Sequence, residues 1–152
     1  SGSLSAVVTQ NIDGLHQSAG SERIFELHGN WSRLLCTGCG RRFSIADFDE
    51  ARAGTVPRCP SCASVVRPDI VFYGEMLGSG VLEGAVRAIA DADMLIVAGT
   101  SLVVYPAAGL IDYYDGDRLV LMNATPTPYD SRANLVIREP VGKVFAELSR
   151  AV

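Results

Sequence analysis

Four cysteines stand in two pairs, Cys36-Thr37-Gly38-Cys39 and Cys59-Pro60-Ser61-Cys62, with 19 residues between them. Each C-x-x-C turn lets two thiolates face one ion, and four sulfur ligands close a tetrahedron. The spacing predicts one structural zinc held by Cys36, Cys39, Cys59 and Cys62. Such an ion keeps no position for water or substrate, so its task is folding and not Lewis-acid chemistry. Two disulfides or a redox C-x-x-C are the alternatives; the paired spacing and an expected intracellular setting speak against both.

A second group of chemically able residues lies in short polar runs: Thr9-Gln10-Asn11-Ile12-Asp13, Gly99-Thr100-Ser101 and Asn123. Gly99 permits close backbone approach, and Thr100 and Ser101 offer hydroxyls, a chemistry suited to phosphate or ribose. A Gly-Thr-Ser triplet alone is a weak signal that any turn can carry. His28 follows a short apolar segment in Phe25-Glu26-Leu27-His28-Gly29. Histidine is the side chain suited to act as a base near neutral pH, and a hydrogen-bonded structural histidine is the competing reading. His16 falls in a helical pattern after Gly14 and is assigned no role.

The elements that must position these residues follow from apolar patterning. Ala6 to Thr9, Met94 to Ala98 and Leu119 to Met122 read as short buried strands, with Leu135 to Ile137 a weaker fourth. Val81, Leu82, Ala85, Val86 and Ile89 share one helix face, and Pro106 and Pro140 suit the first turns of two further helices. Strands alternating with helices, and apolar throughout, predict an α/β chain with a parallel sheet covered on both faces. The polar runs then fall at strand carboxyl ends, where doubly wound folds place ligands. Trp31 to Arg67 breaks this rhythm with its cysteines, glycines and prolines and one short helical pattern around Ala46 to Ala51. It reads as a small lobe, 31–67, inserted between segments 4–30 and 68–152. No internal repeat is present.

The chain has 152 residues, 48% of them hydrophobic, and a formal net charge of −4. That suffices for one packed core plus a small lobe and argues against a dedicated nucleic-acid binder. Arg33, Arg41, Arg42, Arg52, Arg58 and Arg67, set against Asp47, Asp49 and Glu50, make the lobe locally basic. Such a surface can hold nucleic acid or an acidic partner, or be a solvated face. No apolar run reaches bilayer length and the first residues lack the order of a secretory signal, so a soluble, cytoplasmic protein is expected, without membrane partners. Ser1, Gly2 and Ser3 read as a flexible leader or expression scar.

Taken in order, several stretches resemble the motifs of the sirtuin family: Thr9-Gln10-Asn11-Ile12-Asp13-Gly14-Leu15-His16, Glu26-Leu27-His28-Gly29, the paired cysteines, Arg67-Pro68-Asp69-Ile70-Val71-Phe72-Tyr73-Gly74-Glu75, Gly99-Thr100-Ser101-Leu102 and Val104-Tyr105-Pro106-Ala107. The resemblance covers nearly the whole chain after its first residues. It implies a Rossmann-like NAD-binding domain interrupted by the zinc lobe, and an NAD-dependent protein-lysine deacylase that releases nicotinamide and O-acyl-ADP-ribose. Gln10, Asn11, Ile12 and Asp13 would line the nicotinamide and ribose pocket, Gly99, Thr100, Ser101 and Asn123 would hold the dinucleotide, and His28 would be the base that activates a ribose hydroxyl. Val71, Phe72, Tyr73, Gly74 and Glu75 on one side, and Val103 and Val104 on the other, would pair with the backbone of an acylated-lysine substrate. NAD hydrolysis or ADP-ribosyl transfer in the same pocket, and a non-catalytic zinc module binding protein or nucleic acid, are the alternative functions.

The chain departs from the family pattern in three places. Tyr73 stands where phenylalanine is usual, and Gly78 where proline is common. The family's Gly-Ala-Gly phosphate loop and Ile-Pro-Asp-Phe-Arg segment do not occur in it. A truncated sirtuin, weak or inactive alone, is therefore expected, its absent strand belonging between those at Val7 and Leu95. The resulting unpaired edges would favour pairing with a second copy.

Overall fold

The structure, a computed structural model, describes residues 4–48 and 54–151. Ser1 to Ser3, the end of the expected helical stretch at 49–51, and Asp49, Glu50 and Arg52 of the lobe's charge pattern lie outside the described residues. The chain divides into two compact units, Ser1–Leu82 and Glu83–Val152.

The first unit contains β1 (Val7–Thr9), α1 (Leu15–Ser18), β2 (Ile24–Glu26), β3 (Gly29–Cys36), β4 (Arg42–Ser44) and β5 (Val66–Ile70). β1 and β2 pair in parallel, with Val7 opposite Ile24 and Thr9 opposite Glu26. The strand β2 is the short apolar segment before His28. A second, antiparallel sheet has the order β4-β3-β5. Its core gathers Leu34, Cys36, Phe48, Cys59 and Val66, with Phe43 and Ile45 packed against them. The Phe43 and Phe48 rings meet edge to face with centroids 5.1 Å apart, a geometry worth about 1 kcal/mol beyond burial.

Two expectations for this unit need correction or refinement. Of the helical stretch expected at Ala46 to Ala51, the described residues form a 3-10 turn, Ile45–Asp47, capped reciprocally by Ser44 and Asp47. It stops because Phe48 takes an extended conformation, φ −133° and ψ 101°, with its side chain buried. The antiparallel sheet also reaches past the expected 31–67 limits, from Gly29 on β3 to Ile70 on β5. His28 thus leads directly into β3 and Val71 directly out of β5, and the Val71 amide donates to the His28 carbonyl at 2.9 Å. Gly29 makes this approach possible: its φ is +79°, and a Cβ there would lie 2.0 Å from the Asp69 carbonyl oxygen.

The second unit begins within α2 (Ser79–Ala90), followed by β6 (Leu95–Ala98), β7 (Leu119–Met122), β8 (Leu135–Ile137) and α3 (Val141–Ala151). The strands pair in parallel in the order β6-β7-β8. Leu119, Leu121 and Met122 of β7 are buried, whereas β6, with β7 as its one strand neighbour, leaves Ile96 and Ala98 exposed. The helix expected from Pro106 is a 3-10 helix, Ala107–Tyr113. Burial recurs there every three residues, at Ala107 and Leu110 and at Ala108, Ile111 and Tyr114, which matches the three-residue turn of 3-10 geometry. Among the described residues, no helix is long and apolar enough to cross a membrane.

Replacing Gly29 by alanine forces a Cβ into the Asp69 carbonyl at a left-handed backbone position. The expected cost is about 3 kcal/mol or more, read as a lowered denaturant midpoint; an unchanged midpoint would contradict this account of the close approach.

Candidate active site and metal centre

The four predicted metal ligands meet. Their sulfurs all lie within 4.8 Å of one another, with Cys36 and Cys62 at 3.5 Å and Cys39 and Cys59 at 3.7 Å. A zinc–sulfur tetrahedron with bonds of about 2.3 Å has sulfur–sulfur edges of about 3.8 Å, so the cluster fits a single zinc ion. These separations also exceed a disulfide bond of about 2.05 Å, and all four cysteines are free. The Gly38 and Cys39 amides approach the Cys36 sulfur at 3.4 Å each. Ser64, through its hydroxyl and amide, draws the Cys62 thiol down to about 6. Cys36 and Cys59 are buried and belong to the lobe core, so zinc ligation and core packing reinforce each other.

The Thr9-to-Asp13 run follows β1 and is fixed mainly through its carbonyls. Thr9 accepts from the Leu27 amide at 2.9 Å, Gln10 from His28 Nδ1 at 3.0 Å, and Ile12 from the Trp31 amide at 2.9 Å. Trp31 is available because the β3–β5 register shifts between Asn30 and Leu34. Asp13 Oδ1 accepts from the Leu15 amide at 3.0 Å, at the start of α1. With the main chain so engaged, the loop offers polar side chains: Gln10 is half-buried, and Asn11 and Asp13 are exposed. Since the Gln10 carbonyl can only accept, His28 Nδ1 carries the proton and Nε2 keeps its lone pair.

Beneath this loop lies a network for which the sequence reading had no role. The Glu26 carboxylate accepts from Gln17 Nε2 at 2.7 Å, Asn30 Nδ2 at 2.5 Å and Arg33 Nη1 at 2.7 Å. It joins α1, β2 and β3 on both sides of His28. Burial raises the Glu26 pKa, but hydrogen bonds from Asn30, Arg33 and Gln17 prevail and hold it below the usual carboxylate range. Asn30 is buried and accepts from the Ser32 amide and hydroxyl through Oδ1. Its position in a polar stretch of β3 carries no local pattern that marks it.

The Val71-to-Glu75 segment lies in the first unit, just beyond β5. Phe72 and Glu75 close a turn around exposed Tyr73 and Gly74, with the Glu75 amide donating to Phe72 at 3.0 Å. Gly74 takes the left-handed third position at φ +85°. The Glu75 carboxylate turns back onto Arg67 and the Phe72 amide; these bonds hold its pKa down at about 2.

The remaining candidates are in the second unit. The Gly99 amide donates to the Met122 carbonyl at 2.9 Å, setting the ends of β6 and β7 side by side. Thr100 Oγ1 accepts from the Leu102 amide at 3.3 Å, which leaves its hydroxyl proton to donate; Ser101 is exposed. Asn123 donates through Nδ2 to Thr125, while Arg138 holds the Asn123 and Thr125 carbonyls at 3.0 and 3.1 Å and pairs with Asp130. At the carboxyl ends of two parallel strands, the Thr100 and Ser101 hydroxyls as donors and the Asn123 side-chain oxygen as acceptor form a polar set that fits a dinucleotide. Val103 and Val104 are exposed in the loop after Ser101. Gln10 to Asp13 with His28, and separately Gly99 to Ser101 with Asn123, are thus brought together within their own units.

Two measurements test these arrangements. Cys36→Ser should abolish retention of one zinc per chain, and chelation should unfold the lobe, seen as lost amide protection at Leu34 and Val66. Glu26 and Glu75 are both held below their ordinary value of 4.5. The stability they supply is therefore complete above pH 4.5 and is lost as the pH falls, for Glu75 through about 2. Denaturant midpoints should drop on acidification, and drop less in Glu75→Gln.

The Sir2 family matches residues 1–106. The NAD-dependent protein deacetylase of Clostridium acetobutylicum is 50% identical over 144 residues, covering 95% of this chain and 58% of that protein. That of Clostridium perfringens is 51% identical over 148 residues, covering 97% and 60%. The chain thus spans about three fifths of the length of these relatives. A solved structure described as Sir2 bound to acetylated peptide has a TM-score of 0.90 at 39% identity, covering 97% of this chain and 63% of that one. Another, of Sir2 with a p53 peptide and NAD+, has a TM-score of 0.89 at 39% identity and the same coverage. With the cysteine cluster, the histidine and the strand-end loops in place, this match over most of its length makes the chain a member of the Sir2 family.

Proposed function

We propose that this chain serves in NAD-dependent removal of acyl groups from protein lysines. The observation that carries the reading is the bond from His28 Nδ1 to the Gln10 carbonyl, which leaves Nε2 as a base beside a loop of polar side chains. When bound, NAD supplies the leaving group and the electrophilic sugar carbon. The protein's part is to orient and to move protons. Gln10, Asn11 and Asp13 offer amide and carboxylate partners to a departing amide, and His28 Nε2 takes up a proton from a hydroxyl. Thr100 and Ser101 offer hydroxyl donors for phosphate and ribose; Asn123, whose Nδ2 is bound to Thr125, offers its Oδ1 as an acceptor; and Gly99 permits close backbone approach. Val71 to Glu75 in the first unit, and separately Val103 and Val104 in the second, are the segments offered to a substrate backbone. The names of the curated relatives support this reading, as do neighbouring structures described with acetylated and with propionylated peptides. The zinc held by the four cysteines stabilises the lobe.

Internal pairing weakens the case for a nucleic-acid-binding lobe. Arg33 pairs with Glu26 and Asp69, Arg42 with Asp69, and Arg67 with Glu75. Arg41 bonds to the Ser61 hydroxyl and Arg58 to the Ala63 carbonyl. These arginines are engaged within the fold and do not form a free basic stripe.

The test is nicotinamide release by the full-length protein in the presence of an acetyl-lysine peptide. His28→Ala should lower it roughly 10²- to 10⁴-fold while zinc content is unchanged. Release that does not depend on the acylated peptide would favour NAD hydrolysis, and equal activity of the His28 variant would remove the assigned base.

A further inference from the structure

Resting on the assignment of Val71 to Glu75 as the peptide-receiving segment, we propose that Arg67 and Glu75 form a positioning pair that fixes the Val71–Phe72 backbone for the incoming acyl-lysine peptide. The ladder of β5 ends at Ile70. Beyond it, the Val71 amide is held by the His28 carbonyl at 2.9 Å, but the Phe72 amide donates to Glu75 Oε2 at 3.0 Å. The Glu75 amide returns to the Phe72 carbonyl at 3.0 Å, closing the turn. A carboxylate in that role must itself be held still, and Arg67 does so with both arms, Nη1 to Oε1 at 2.6 Å and Nη2 to Oε2 at 2.9 Å. The same guanidinium reaches the Ile70 carbonyl at 3.5 Å and lies over the Phe72 ring, 5.0 Å from its centroid.

One side chain therefore engages Ile70, Phe72 and Glu75. It projects from a strand whose next residue back, Val66, pairs with the zinc ligand Cys36. The amides of Val71 and Phe72 and the carbonyl of Phe72 are already bonded. Among the described residues, the Val71 carbonyl and the Tyr73 amide are left to an added strand, while the Tyr73 side chain stays fully exposed. Holding those two groups in place before the peptide arrives removes an ordering cost from binding. Lysine cannot replace Arg67 here, because it lacks both the planar fork and the flat face that covers Phe72.

Glu75→Gln, Arg67→Gln, Arg67→Lys and the double exchange Arg67→Glu with Glu75→Arg test the proposal in the full-length protein. Expected for the two glutamine variants is amide exchange at Phe72 at least about tenfold faster and a peptide KM about tenfold higher, with kcat within about twofold. Arg67→Lys should lie between these and the parent protein, and the double exchange should recover part of the loss. Zinc content and exchange at Leu34 and Val66 should not change. Unaltered KM in variants of a protein that turns over the peptide would overturn the proposal and leave the deacylase reading standing. Equal loss of zinc and of kcat would also overturn it, by showing general unfolding. Absence of peptide turnover in the parent protein would instead be a failure of the deacylase reading, and the proposal would fall with it.

Discussion

The antiparallel pairing of β3 with β5 holds the first unit together, because each end of that ladder carries a different part of the chemistry. At one end Cys36 sits opposite Val66, and the lobe core and sulfur cluster are built around them. At the other, Gly29 sits opposite Ile70, and the flanking residues His28 and Val71 share a main-chain hydrogen bond. A slip of one residue would turn every side chain of the ladder to the opposite face. It would separate the sulfurs and, in the same step, move the histidine away from the Val71-to-Glu75 segment. The irregularity between Asn30 and Leu34 belongs to the same design, since it frees the Trp31 amide to hold the Ile12 carbonyl.

Charge is arranged around this ladder with the same economy. Three acids, Glu26, Asp69 and Glu75, take up Arg33, Arg42 and Arg67. Exposed pairs of this kind add little to stability. Glu26 differs because its side chain is only 8% exposed and accepts three donors, one from α1 and two from β3. Removing one partner from a buried carboxylate leaves an uncompensated charge, which costs far more than a surface pair contributes. Among the described residues, Arg33, Arg42 and Arg67 of the compositionally basic lobe are thus matched by acids, whereas Arg41 and Arg58 bond to neutral oxygens.

Much of this was legible in the sequence, and the legible parts share a physical trait: they depend on residue type at short spacing. The C-x-x-C pairs located the sulfur cluster, and the apolar runs at Val7, Leu95, Leu119 and Leu135 located the parallel strands within about one residue. Polar runs at strand ends pointed to the candidate ligand loops. What escaped depended on partners distant in sequence. The strand Ile24–Glu26 is short enough that only its pairing with β1 defines it. Glu26 lay inside a quoted motif, yet its role required Gln17, Asn30 and Arg33 to be placed around it. Arg67 read as one more charge in a basic lobe until Glu75 and Phe72 were brought beneath it. The helical pattern at Pro106 was real but resolved into a 3-10 helix, a distinction set by which positions the surrounding fold buries.

The anchor of His28 is a backbone carbonyl and not a side chain. Mutation at position 10 can change the half-buried side chain without removing the acceptor that fixes the imidazole tautomer. The two tasks of that residue are thus inherited separately: one is written in the codon, the other in the path of the chain. A lineage is therefore free to vary the side chain at position 10 without surrendering the acceptor that orients the imidazole.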